Sequence, residues 1–244
     1  MKTFLILPNQ LFEIKYLNKI NIKENNYNIV LYEHPQYFTK HNFNKKKLIL
    51  HYASMKYYKK YLEKNNYIVK IIKFIDKFNL KEYEMFRSAD NLKLNPSKVY
   101  DNPNYLLNKD LHEKYNNKTS KNKTILFNNF YMWSKKELDI LEGVKSKDKM
   151  NRERMPKDIV IPKLKKIKKS DKDYIDSVIS DVNNKFNKNY GNTDNFIYPV
   201  THKSAKSFLK HFIKYKFIFF SRTQGAFLNL LKAFSSSSTL LTCI

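Results

Sequence analysis

Short unbroken apolar runs open the chain, and longer stretches with three- and four-residue spacing follow them. Thr3 to Leu7 is a compact apolar run closed by Pro8, which predicts a buried strand. Asn28 to Tyr32 (Asn-Ile-Val-Leu-Tyr) predicts a second. From Lys45 to Asn65 the pattern changes. Leu48, Tyr52, Met55, Tyr58 and Leu62 recur at helical steps with lysines between them, and Asn65-Asn66 closes the helix. Tyr67 to Ile72, rich in β-branched residues, predicts a third strand, and Val99-Tyr100 opens a fourth. Strands that are apolar throughout, separated by a helix, predict an α/β fold with a parallel sheet.

The second half reads as helical. Asn128 to Glu142 carries Phe130, Met132, Trp133, Leu138 and Leu141 as its apolar set and stops at Gly143. Ser146 to Lys172 is a basic connector punctuated by Pro156 and Pro162, the best boundary candidate. Ser170 to Phe186 predicts a helix with an Asp-rich start suited to the helix dipole. Thr201 caps a helix from Lys203 to Lys216, with Ala205, Phe208, Leu209, Phe212 and Ile213 on one face. Beyond Ser221 the pattern breaks down into a serine run and an apolar end, as expected of truncation or a changed reading frame.

Composition narrows the function. The 244 residues include 18 Tyr and 18 Phe, enough for a core. The lone cysteine, Cys243, excludes a disulfide framework and any four-cysteine metal or iron–sulfur site within the chain. The apolar runs fall short of a membrane span and of a secretory leader, so a soluble intracellular protein is expected. The formal net charge of +25 attracts polyanions, nucleic acid first. Yet only Arg87, Arg152, Arg154 and Arg222 among the 47 basic residues are arginine, which argues against a dedicated base reader. A/T-rich codons account for a Lys, Asn, Ile and Tyr excess equally well.

Candidate chemistry is sparse. Three glycines cannot build a dinucleotide fingerprint or a phosphate loop. The six histidines show no metal spacing, and no carboxylate pair suited to hydrolysis stands out. In an open parallel sheet the carboxyl ends of the strands face the ligand crevice. Leu7-Pro8-Asn9-Gln10-Leu11 follows the first strand, and Asn9 and Gln10 have amides able to read a heterocycle; an ordinary turn accounts for them too. Glu33 ends the second strand at the same edge, as an acceptor for a ring N–H or a ribityl hydroxyl or as a solvated acid. Lys163 to Lys169 is either a solvated linker or a phosphate-contacting strip.

Several stretches in order resemble the photolyase-related branch of the cryptochrome/DNA photolyase family, of the iron–sulfur bacterial type. They are Leu5 to Leu11, Tyr32 to Phe38, Lys45 to Tyr58, Asp101 to Leu107, Phe130 to Trp133, Lys147 to Arg152 and Tyr198 to Ala205. The resemblance implies a Rossmann-like α/β antenna domain over 1–125, a helical and basic linker over 126–195, and the start of a helical FAD-binding domain over 196–244. It also implies a light-dependent DNA repair flavoprotein. Leu7, Asn9, Gln10 and Glu33 carry over as antenna positions for a lumazine-type chromophore, although Asn9 stands where many relatives have Asp. After Lys216 the family's helical segment is matched only at Gln224 and Ala226. The flavin pocket, lesion pocket and cluster cysteines are therefore expected to be missing, leaving a catalytically inactive antenna fragment. The alternatives are half of a split photolyase completed by a separately encoded FAD-binding chain, or a basic module that binds DNA without catalysis.

Overall fold

A computed structural model describes residues 1–119, 126–140 and 163–216. The helix expected to run to Glu142 ends sooner, at Glu137, with Leu138 as its C-cap and Asp139 at a φ of 53°. Gly143, most of the 146–172 connector, and the tail from 217 onward with Cys243 lie outside the described residues.

Five parallel strands form one sheet: β1 (Lys2–Ile6), β2 (Tyr27–Tyr32), β3 (Val69–Ile72), β4 (Glu84–Phe86) and β5 (Lys98–Tyr100), in the order β3-β2-β1-β4-β5. This is the α/β, Rossmann-like arrangement the apolar runs imply. Phe4, Leu5 and Ile6 on central β1 are each 0% exposed, so both faces of the strand are covered and its sequence shows no alternation. One strand was not legible. Glu84-Met85-Phe86 has a carboxylate and no β-branched residue, yet it pairs directly with β1. It is accommodated by contacts from distant strands, described below.

Two short helices, α1 (Ile14–Lys19) and α2 (Pro35–Phe38), precede the long α3 (Lys45–Glu63). The Asn44 side chain caps α3 by accepting from the Lys46 N–H at 2.8 Å. Asn66 then takes a φ of 65°, a left-handed conformation asparagine tolerates. The links β3–β4 and β4–β5 carry no helix and cross as irregular loops. Next come α4 (Lys109–Lys118), α5 (Phe127–Glu137), α6 (Lys169–Lys185) and α7 (His202–Tyr215).

The buried side of α3 is wider than its expected stripe. Ile49, Leu50, His51, Ala53 and Ser54 are buried along with Leu48, Met55, Tyr58 and Leu62. The cause is α6, which lies on α3 and buries Ile175, Val178 and Val182 at helical spacing. The turn after α6 is seated on the start of α3. Gly191 has a φ of +86°, and a Cβ there would come within 2.6 Å of the Asn44 side chain. Thr201 caps α7 as expected, accepting from the Ser204 N–H at 3.3 Å. Only the first turn of α7 is buried; Ile213 and Tyr215 are exposed.

Candidate functional site

Connections leave β1 toward β2 and β3 on one side and reach β4 and β5 on the other. The carboxyl ends of β1 and β4 therefore flank a topological switch point, where open α/β sheets take ligands. The loop after β1 turns tightly there, with the Gln10 N–H donating to the Leu7 carbonyl at 2.9 Å. Leu7 is fully buried.

Gln10 is also fully buried, and it spans the crevice. Its Nε2 donates to the Phe86 carbonyl at 3.2 Å and the Arg87 carbonyl at 3.1 Å, tying the β1 loop to the end of β4. Its Oε1 has no hydrogen-bond partner among the described residues, and neither has Asn9 Oδ1. Buried acceptors are nearly always partnered, so two orphans side by side mark a place short of donors.

Around them the structure gathers side chains that sequence reasoning left out of the site. The Tyr37 hydroxyl, on α2, donates to Asp90 Oδ2 at 2.6 Å. Burial, and then Asp90, push the phenol far above its ordinary range, while Ser88 and Asn9 beside it oppose the shift. His34 caps α2: its Nδ1 accepts from the Gln36 N–H at 3.1 Å, so a neutral ring carries its hydrogen on Nε2. Burial lowers its pKa and Asp90 raises it in part. His51 is enclosed on α3, its ring centroid 6.1 Å from Tyr37 and 5.6 Å from Phe38. Neither of its nitrogens has a partner among the described residues. Burial, helped by Lys47 one turn earlier, pushes its pKa down to about 3. Lys47 is half-buried with Nζ 4.0 Å from the Phe43 ring centroid; burial lowers its pKa and Asp90 works against that.

Glu33 belongs to a neighbouring set. It is 5% exposed and accepts from the Tyr52 hydroxyl and the Phe74 N–H, each at 3.4 Å. Burial raises its pKa, opposed by the Phe74 N–H, Lys185, Tyr52 and Lys73. The Phe38 ring touches both sets, packing on His51 and on Tyr52 and Phe74. Of the four expected positions, Leu7, Asn9 and Gln10 thus come together, while Glu33 hydrogen-bonds to Tyr52 and Phe74. Tyr37, Ser88 and Asp90 were missed. Ser88 and Asp90 follow β4, so recognising that strand would have placed Arg87-Ser88-Ala89-Asp90 at the crevice.

An open cleft of about 190 Å³ adjoins this cluster, lined by Phe86, Arg87, Ser88, Asp90, Leu92 and Leu94 among others. It is smaller than the roughly 300 Å³ at which small-molecule pockets begin. Among the described residues no three His, Cys, Asp or Glu side chains are grouped to hold a metal. No helix of the described residues is long and apolar enough to cross a membrane.

Comparison with known proteins gives this geometry a context. The family model described as deoxyribodipyrimidine photo-lyase-related protein matches residues 4–89 and 79–198. An uncharacterized protein of Acanthamoeba polyphaga mimivirus is 31% identical over 197 residues, spanning 64% of this chain and 96% of that relative.

Proposed function

Because the chain belongs to the deoxyribodipyrimidine photo-lyase-related protein family, we propose that its α/β portion is the light-collecting part of a photolyase-related repair flavoprotein. The crevice at the ends of β1 and β4 takes a lumazine-type heterocycle. The observation that carries this is the pair of buried, unpartnered acceptors, Asn9 Oδ1 and Gln10 Oε1. A ring N–H or a ribityl hydroxyl supplies the donor each lacks. His51, with one donor and one acceptor nitrogen in its neutral form, offers a third polar contact. Tyr37 and Phe38 provide aromatic surface beside it. When bound, such a pigment absorbs light and passes the excitation on. The residues here orient it: Gln10 fixes the loop to β4, Asp90 fixes Tyr37, and burial holds His34 and His51 neutral.

The described residues do not fit a flavin dinucleotide. Helix α6 is spent on covering α3, which leaves its apolar face no surface to offer a flavin. No repair step is therefore derived from these residues. The FAD-holding helices are assigned to material outside these residues, and the described portion alone is expected to be catalytically inactive.

Titration of the purified chain with a ribityl-lumazine, followed by the ligand's fluorescence, tests the pigment site. Stoichiometric binding near the micromolar range is expected, weakened about tenfold in Asn9→Ala by loss of one hydrogen bond. A folded chain that leaves the fluorescence unchanged up to about 1 mM ligand refutes the assignment.

A further inference from the structure

Lysine is abundant throughout, but it is not balanced evenly. On most elements carboxylates answer it: Lys59 pairs with Glu63, Lys109 with Glu113, and Lys185 with Asp181. Past its first turn, helix α6 sets Asp173, Asp176 and Asp181 against Lys185. Three segments depart from this: residues 34–62, with seven lysines and no acid, and the two described next. Six of the ten residues from 163 to 172 are lysine, and the one acid among them, Asp171, is 0% exposed and faces inward. Its Oδ1 accepts from the Val200 and Thr201 N–H groups at 3.0 and 3.1 Å. From 195 to 216 there is no acid at all, while Lys203, Lys206, Lys210, Lys214 and Lys216 line α7 and its end. Codon bias raises lysine everywhere; it does not fold two acid-poor segments against each other.

The fold does bring them together. Lys165 Nζ donates to the Ser207 carbonyl at 3.1 Å and to the Ser207 Oγ at 2.7 Å, pinning the extended strip to α7. His211 lies close enough to both Lys165 and Lys216 that, after burial, their positive charges push its pKa down. Like charges are thus held close with little neutralisation. Of the lysines named on the two segments, Lys206 is in an ion pair, with Glu13, and no other has a carboxylate within ion-pair distance among the described residues. Lys163, Lys166, Lys168, Lys169, Lys203, Lys210 and Lys214 are exposed. Helix α7 is about 21 Å long, the span of roughly six nucleotide steps.

We propose that the 163–172 strip and α7 form one surface that binds the phosphate backbone of nucleic acid, independently of base sequence and of any lesion. The cation is lysine throughout, a point charge on a flexible stem, which contacts phosphate without the forked geometry that reads guanine. This surface does not rest on the pigment site, which lies at the ends of β1 and β4.

The test uses the full chain and a labelled, lesion-free DNA oligonucleotide, with anisotropy measured from about 50 to about 200 mM salt. One variant changes Lys163, Lys166, Lys168 and Lys169 to Gln; a charge-matched control changes Lys59, Lys60, Lys109 and Lys118 to Gln. All eight side chains lie at or near the surface, and a thermal melt checks that each variant is folded. The strip variant is expected to lose more than about tenfold in affinity and to flatten the log–log salt slope by roughly three, while the control moves by less than about threefold. Equal losses in the two variants reduce the effect to overall charge and overturn the proposal. So does undetectable binding of the unsubstituted chain at about 50 mM salt, or a preference for anionic vesicles that DNA does not compete away.

Discussion

The two edges of the sheet treat buried polar groups in opposite ways. At the amino edge Glu84 is 6% exposed, and its carboxylate is fully engaged: Tyr27 donates at 3.0 Å, Tyr100 at 2.8 Å and Lys2 at 3.4 Å. Burial alone would raise its pKa, but the hydrogen bonds from Tyr100, Tyr27 and Lys2 together prevail and hold it below the usual carboxylate range. Tyr27 in turn is pushed up to about 12, by burial and by its bond to Glu84. At the carboxyl edge, Gln10 and His51 are equally enclosed and Asn9 partly so, yet all three keep buried atoms without partners among the described residues. The Glu84 carboxylate is finished as structure, although at the same end Asn28 Oδ1 on β2 has no partner among the described residues. The other end holds several polar atoms without partners among the described residues, at a cost in stability.

The largest expected effect breaks the finished edge. Glu84→Ala removes the acceptor of two tyrosine hydroxyls, that of buried Tyr27 and of half-buried Tyr100, and opens a gap beside the Phe4–Phe86 ring contact, centroids 5.2 Å apart. A loss of about 3 kcal/mol of unfolding free energy is expected in urea denaturation. A loss under about 0.5 kcal/mol would mean that the cluster adds nothing net, and the contrast between the edges would fall with it.

That cluster also explains what the sequence conceals. Strands β1 and β2 announce themselves because burial on both faces demands runs of apolar residues, and β3, an edge strand with Lys70 exposed, through its β-branched residues. Strand β4 does not, since its fitness depends on Tyr27, 57 residues before Glu84, and on Tyr100, 16 after it. The site divides the same way. Asn9 and Gln10 were legible from their position after a strand. Tyr37, Ser88 and Asp90 were not, because Asp90 reaches Tyr37 across 53 residues of chain and no local pattern records that. His51 sits on the stripe of a helix and reads as ordinary core; its unpartnered nitrogens are a property of the packed environment alone. Likewise the run from Lys163 to Lys169 is visible in sequence, but its seat on α7 through Ser207 is not.

Acid exposes the next difference. The unfolded His51 imidazole takes a proton near its ordinary value of 6.5, whereas the folded one resists until about pH 3. The stability it lends is complete above pH 6.5 and is lost as pH falls toward 3, at up to about 1.4 kcal/mol per pH unit. His34 and His202, also lowered chiefly by burial, add in the same direction. His51→Leu is expected to change stability by less than about 1 kcal/mol at neutral pH, because no hydrogen bond to another described residue is lost, and to flatten the acid limb. An acid limb unaltered by this substitution would show that His51 is partnered or hydrated in solution, and that this edge is as complete as the other.

The smallest effect falls on the residue that belongs to both kinds of edge. Gln10 makes two hydrogen bonds through Nε2 and none through Oε1 to the described residues. Gln10→Met keeps its volume, removes both bonds to the Phe86 and Arg87 carbonyls, and at the same time relieves the orphaned acceptor. These oppose each other, so a net loss of about 1 kcal/mol is expected, well below that of Glu84→Ala. The same substitution removes an acceptor from the proposed pigment crevice, so affinity for a ribityl-lumazine should fall by about tenfold, out of proportion to so small a change in stability. A stability loss matching that of Glu84→Ala, with no change in affinity, would make Gln10 a purely structural stitch and leave Asn9 as the only unpaired acceptor in the crevice with a ligand to hold.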